Sequence, residues 1–207
     1  MLRGTATVDE LRRHIATLSS FDTEALRLEG VELLQALFEI RIGGRQSSLP
    51  PGLHPTNPPT FVLQVWNCPD SPWGPFRLAQ GRIGCRSGLR PRGLVQACVC
   101  DNAAAVAGLR SRWGYPAHLG DVTLLRRYDT VMASASSESG APAFELTTSD
   151  PEPLGTDDVA YTTTVVLADT PRGTRLVQVD VDVTATRAER LRPHFDSFAN
   201  GWVHPSV

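Results

Sequence analysis

The apolar positions of this chain fall mostly in short runs rather than in long amphipathic stretches. Val31 to Ile42 is one such run, suited to a long strand. The segment "GGRQSSLPPGLHPTNPP" follows, and its prolines forbid regular pairing. Beyond it, β-branched and aromatic residues recur between turn signals such as "CPDSPWGP" and "RSGLRPRG". This spacing predicts strands at about 60–67, 75–86, 91–100, 119–127, 129–137 and 142–148, then two runs joined by a Pro/Gly turn in "YTTTVVLADTPRGTRLVQVDVDV".

Two stretches read as helix. Thr7 and Glu10 are spaced as a capping box, and Leu11, Ile15 and Leu18 share one helical face, which predicts a helix over about 8–18. In "DNAAAVAGLRSRWG", Asp101 can cap the start and Gly114 can take the left-handed closing position before Pro116. The class is therefore α+β, mostly antiparallel. So many strands with so few peripheral helices favour closure into a barrel or a cone-shaped sheet, and closure creates an interior. With no repeat and no linker, residues 1–207 are expected to form a single domain.

Composition narrows the function classes. A formal net charge of -2 and a pI near 6.2 call for no polyanionic partner, so nucleic acid is not expected. No apolar run approaches a membrane span, and "MLRGTATVDELRRH" lacks the apolar core of a signal peptide, so no membrane association and a cytoplasmic location are expected. Cys68, Cys85, Cys98 and Cys100 show no C-x-x-C spacing and read as buried free thiols. All 20 basic residues are arginine, so no side chain can form a Schiff base with a carbonyl substrate.

"LPPGLHP", "SPWGPFRLAQ", "DNAAAVAGLRSRWGYPAHLG" and "YTTTVVLADTPRGTRLVQV" follow the order and spacing of the acetoacetate decarboxylase superfamily, which the chain resembles over about residues 49–187. The resemblance implies that family's barrel and its tendency to assemble as a homo-oligomer. In the family, Pro-Lys-Lys-Leu follows the helix, and the first lysine condenses with a β-keto acid. Here the stretch reads Pro116-Ala117-His118-Leu119, so the nucleophile position is Ala117. Two glutamates of the family site map onto Leu78 and Leu63. A cation and two carboxylates are thus replaced together, which avoids leaving buried carboxylates without their partner.

Several polar residues near these positions are candidates for chemistry. His118 can act as general acid or base near neutrality, although it alternates with Ala117 along an extended segment and is expected to face the other way if Ala117 faces the site. If Leu78 faces inward, Phe76, Gln80 and Arg82 share its face, where Gln80 or Arg82 can hydrogen-bond a carbonyl or enolate oxygen. Arg82 turned to solvent beyond a strand bend is the alternative. The same alternation groups Phe61, Leu63 and Val65 into an apolar lining. Tyr161 is a candidate phenolic donor by position in the family pattern, while Trp113 and Tyr115 are expected to pack at the helix stop.

Asp180 and Asp182 read as the solvated side of a half-buried strand. Arg41 and Arg45 lie near the family's N-terminal pocket arginine, but "RIGGRQSS" departs from the family pattern there. His14, His194 and His204 have no metal-triad spacing, and nothing calls for a metal or a nucleotide cofactor.

The expected function is an enzyme of acetoacetate decarboxylase type working without a Schiff base or cofactor. It would bind a hydrophobic, polyketide-like carbonyl intermediate of natural-product biosynthesis and promote cyclisation, dehydration or isomerisation. A non-catalytic small-molecule-binding or accessory protein is the alternative from another class, and lysine-independent decarboxylation of a β-keto acid is a third. Open space beside Ala117, Leu63 and Leu78 would favour the enzyme, and a filled interior would favour the binding protein.

Overall fold

A computed structural model describes residues 3–12, 15–21, 24–40 and 44–198. In chain order the elements are α1 (Val8–Leu11), β1 (Ala16–Thr17), β2 (Glu32–Glu39), α2 (Gly44–Ser47), β3 (His54–Pro55), β4 (Thr60–Cys68), β5 (Phe76–Ser87), β6 (Arg90–Cys100) and α3 (Ala103–Trp113). They continue with β7 (Ala117–Arg127), β8 (Thr130–Ser137), β9 (Pro142–Leu154), a 3-10 turn at Thr156–Asp158, β10 (Thr164–Thr170), β11 (Gly173–Val179) and β12 (Ala188–Phe198). No helix among the described residues is long and apolar enough to cross a membrane.

Eight strands pair in the order β2-β4-β5-β6-β7-β8-β9-β12, all antiparallel except β6 with β7. Each of them contributes to one buried apolar cluster that includes Leu34, Phe61, Leu63, Ile83, Val99, Val122, Ala133, Leu146 and, from β12, Leu191 and Phe195. The sheet therefore curls around its own inner face into a nearly closed barrel.

Side chains rather than a backbone ladder join the two end strands. Phe38 of β2 meets Phe195 and Phe198 of β12 at ring separations of 5.4 and 5.8 Å, and Phe61 meets Phe38 and Phe198 at 5.1 and 5.9 Å. Elsewhere along the seam, Arg126 reaches Glu189 of β12 at 2.8 Å and Glu32 of β2 at 3.8 Å.

A second layer lies outside the barrel. Strand β6 forks: Cys98–Cys100 pair with β7, whereas Gly93 and Leu94 pair with β10, which carries the β10–β11 hairpin. Helix α3 crosses beside this fork. Asn102 caps its start, accepting from the backbone N–H groups of Ala104 and Ala105 at 2.9 and 3.1 Å. Asp101, the cap expected from the sequence, instead accepts from the Arg77 N–H at 2.6 Å and ties the helix entry to β5. Gly114 closes the helix at φ 69°, in the left-handed conformation that glycine adopts without strain. Gly108 lies directly under the Trp73 ring, where any side chain would collide.

Several elements differ from the sequence-based expectation, among them β3, whose His54 and Pro55 pair with Arg86 and Cys85 of β5 inside the segment expected to stay unpaired. The N-terminal helix keeps its capping box but stops after one turn, because Ala16 and Thr17 pair with Ala168 and Asp169 of β10. An exposed sheet edge outcompetes a short isolated helix, whose nucleation is unfavourable. Strand β9 runs on to Leu154, since β12 pairs along it from Ala188 to Phe198. Strand β12 lacks a strand signal in the sequence because it carries charges, Pro193 and two register shifts, features tolerated at an edge.

Replacing Phe61, which has no exposed surface, by alanine is expected to cost about 3–5 kcal/mol of stability, measured as a lower urea midpoint with an unchanged slope.

Candidate functional site

Strands β4, β5 and β6 are covered on both sides, so the two-residue side-chain period sorts their residues between two interiors. Phe61, Leu63, Val65, Ala79, Ile83 and Val99 fill the barrel. Phe76, Leu78, Val95, Cys98, Cys100 and, from β7, Ala117 face the second layer, packed with Ala105 and Leu109 of α3, Tyr115 and Val166. Gln64, Gln80 and Arg82 stand in the same rows as this outer set, because Gln64 pairs with Gln80 and Val62 with Arg82.

Across this outer face runs a chain of glutamines. Gln80 Nε2 donates to Gln64 Oε1 at 2.7 Å, Gln64 Nε2 donates to Gln35 Oε1 at 2.7 Å, and Gln35 Nε2 donates to the Ala160 carbonyl at 3.2 Å. Gln64 and Gln80 are fully buried, at 0 and 1% exposure, and the Gln80 Oε1 atom has no partner.

Beside it lies a buried guanidinium. Arg82 has no exposed surface, and its Nη1 donates to the Thr162 carbonyl at 3.0 Å and to Thr164 Oγ1 at 2.9 Å. Thr164 also meets the Tyr161 hydroxyl at 3.3 Å. The Tyr161 ring covers the guanidinium, 4.8 Å from its carbon to the ring centre, and Trp66 abuts the same ring edge-on at 6.1 Å. Arg82 Nε, Arg82 Nη2 and Trp66 Nε1 are buried without a partner. Burial pushes the Arg82 pKa down, opposed chiefly by Tyr161 and Tyr115, and burial raises the Tyr115 phenol. Residues 159–163 thus form a strap over the outer face, held by Gln35 and Arg82.

The candidate residues separate accordingly. Phe76, Leu78, Gln80, Arg82, Ala117 and Tyr161 lie at the outer layer, with Arg82 buried rather than turned to solvent. Phe61, Leu63 and Val65 line the barrel interior, so Leu63 and Leu78 do not border one space. On β4 the residue opposite Arg82 is Val62, one position from Leu63, and that single step decides the face.

His118 is exposed and alternates with the buried Ala117, pointing away from it. Asp180 and Asp182 are exposed, and no group of metal-ligating side chains occurs among the described residues. His14, His204, Arg41 and the Arg45 side chain lie outside the described residues.

The sequence-based expectation does not include Gln35, Gln64, Thr164 or Trp66, and it gives Tyr115 a packing role alone. The available signal was a glutamine inside the apolar run "FVLQVW". The space beside Ala117 is filled: Ala117, Leu78, Cys98 and Tyr115 are buried and packed together. A crevice of about 30 Å³ lies at the fork, bordered by Leu11, Ile15, Val95, Gln96, Pro116 and Leu167, roughly room for one water.

Comparison with known proteins agrees with this architecture. The family profile "Acetoacetate decarboxylase (ADC)" matches residues 16–190. An acetoacetate decarboxylase from Legionella pneumophila superposes with a TM-score of 0.70 at 19% identity, covering 84% of this chain and 74% of that one. The enduracididine biosynthesis enzyme MppR, in complex with pyruvate, gives 0.64 at 16% identity over 82% of this chain and 77% of that one. An acetoacetate decarboxylase-like enzyme from Sphingomonas wittichii RW1 gives 0.56 at 16% over 78% and 69%. No protein of curated function matches.

All four cysteines are buried and unpaired, and burial pushes Cys68 and Cys85 up to about 12 and Cys100 up to about 11. The folded protein is expected to resist thiol alkylation at pH 8 and to react at all four sites once unfolded. Because the folded state holds these protons more tightly, stability should fall as pH rises from about 9 to 12, read from urea midpoints.

Proposed function

The chain belongs to the acetoacetate decarboxylase family, and we propose that it is a member acting on a carbonyl compound by hydrogen bonding, without a covalent amine intermediate. The observation that carries this reading is the outer face itself. Ala117 and Leu78 provide neither amine nor carboxylate there, while Gln80, Arg82, Tyr115 and Tyr161 supply hydrogen-bonding groups in the same layer.

With no lysine in the chain, an iminium electron sink at a side chain is excluded. A carbonyl oxygen accepting from a guanidinium or phenol can still take on negative charge as an enolate, the proton lost from the neighbouring carbon passing to water admitted with the substrate, and fixed donors stabilise that charge. Cyclisation, dehydration and isomerisation of a carbonyl compound can all pass through such an enolate. Loss of carbon dioxide from a β-keto acid uses the same polarisation. Gln80, Arg82 and Tyr161 are the proposed catalytic residues, and His118, exposed and facing away, is not among them.

The expectation of a polyketide-like substrate becomes narrower. Buried amides and a guanidinium suit a compact polar molecule better than an extended apolar one. The likeness to MppR, a biosynthesis enzyme seen with pyruvate and with a pyruvate condensation product, supports a biosynthetic role for a small oxo compound.

A second reading, binding without turnover, is favoured by the filled space beside Ala117. Solvent deuterium exchange at carbons next to the carbonyl separates the two readings. With a panel of 2-oxo acids, β-keto acids and short polyketones, the proposal expects catalysed exchange, reduced at least about 10-fold in Gln80→Leu and Tyr161→Phe. Borohydride should add no mass to any internal peptide. Binding without exchange across the panel would establish the second reading.

A further inference from the structure

The geometry points to a lid: the strap at residues 159–163, with the turn before it, swings off the outer face on a hinge at Gly155 and so admits substrate. This deepens the proposed function and rests on the outer face being the substrate site.

The need for a moving part follows from the packing. Gln64, Gln80 and Arg82 are at most 1% exposed, and none of them borders the crevice at the fork. Gln80 Oε1, Arg82 Nε, Arg82 Nη2 and Trp66 Nε1, all without partners, are sealed beneath a cover. A substrate reaches them when some element of that cover lifts. The neighbouring strands and α3 are held by ladders and helical hydrogen bonds, which open together with larger parts of the fold.

Residues 155–163 are held differently. They belong to no strand, and their turn is closed by bonds from Asp158 N–H to the Gly155 carbonyl at 3.0 Å and from Val159 N–H to the Thr156 carbonyl at 3.3 Å. The strap is tied down through carbonyls. Ala160 accepts from Gln35 Nε2 at 3.2 Å, Thr162 from Arg82 Nη1 at 3.0 Å, and Thr163 from the Gly93 N–H at 3.0 Å. The last bond lies beside Thr164, where pairing of β10 with β6 fixes the far end. Gln35 and Arg82 are side chains of the outer face, so a substrate carbonyl that replaces a strap carbonyl leaves the donor satisfied.

At the near end stands Gly155. Its φ of -61° and ψ of 137° suit any residue, so the closed conformation does not require glycine there. Residues 155–158 and Ala160 are exposed, so little packing opposes their movement. Tyr161 is the plug, its ring over the Arg82 guanidinium and against Trp66.

The Trp66 Nε1–H reports opening without any substrate, because it is buried, has no hydrogen-bond partner and lies against Tyr161. In the full chain its exchange with solvent deuterium, followed by NMR, is expected to run at least about 100-fold faster than that of the slowest β4 backbone amides, and without their urea dependence. Gly155→Pro fits the resting φ and removes freedom at the hinge, and should slow the indole exchange at least about 5-fold. Gln35→Glu keeps the acceptor for Gln64, loses the donor to Ala160 and should speed it about 5-fold; this variant decides the matter if Gly155→Pro does not fold. The association rate of a binding compound from the oxo acid and polyketone panel should fall in Gly155→Pro in step with the indole exchange. Indole exchange that follows global unfolding in urea, or that neither variant alters, overturns the lid. So does unaltered association in Gly155→Pro once its indole exchange has slowed. Local opening with no catalysed exchange across the panel would leave the hinged strap standing and remove the catalytic reading. Catalysis by a protein whose Trp66 opens only with global unfolding would do the reverse.

Discussion

Burial of the central strands on both faces is the constraint from which the other features follow. In an ordinary barrel one face of each strand meets water, and a polar residue there needs no partner. Along the middle of β4, β5 and β6 side chains enter either the barrel or the layer beneath α3, so a polar residue there must be satisfied by protein or by a ligand. The glutamine chain from Gln80 to Ala160 meets that demand almost completely. Arg82 meets it only in part: Nη1 donates to Thr162 and Thr164, while Nε and Nη2 have no partner.

The outer face also carries a different charge pattern from the one the family resemblance implies. Removing a lysine alone would strand carboxylates; here the mapped positions are Ala117 and Leu78, and the charge on the face belongs to a guanidinium further along β5. Arginine stays protonated where a buried lysine would give up its proton, so it suits binding and polarisation rather than nucleophilic attack. The strap reinforces this arrangement, since Arg82 both fixes the Thr162 carbonyl and lies beneath Tyr161.

Much of the architecture was legible in the sequence, because strand periodicity and turn residues are local signals. The strands from β4 to β11, the body of α3 and the turn at Gly114 follow from such signals. Strand β12 and the short β1 did not, since each is specified by an edge already formed elsewhere in the chain. Within the site, alternation placed Phe76, Leu78, Gln80 and Arg82 together correctly. It could not place Leu63 relative to Leu78, because parity holds within a strand while register between strands is a tertiary property. The shared role of Gln35, Gln64 and Gln80 was invisible for the same reason.

The barrel seam carries a consequence for how the molecule is assembled. Strands β2 and β12 come from opposite ends of the chain, and where they meet the join is made by phenylalanine rings and by Arg126 rather than by a shared ladder. Contacts so distant in sequence carry a large loop-closure cost. Among the described residues strand β2 has no ladder partner on that side and bears the exposed Leu37, so only side chains stand between its edge and a strand added by another chain. The aromatic clasp is therefore a guard against intermolecular pairing as well as a contributor to stability.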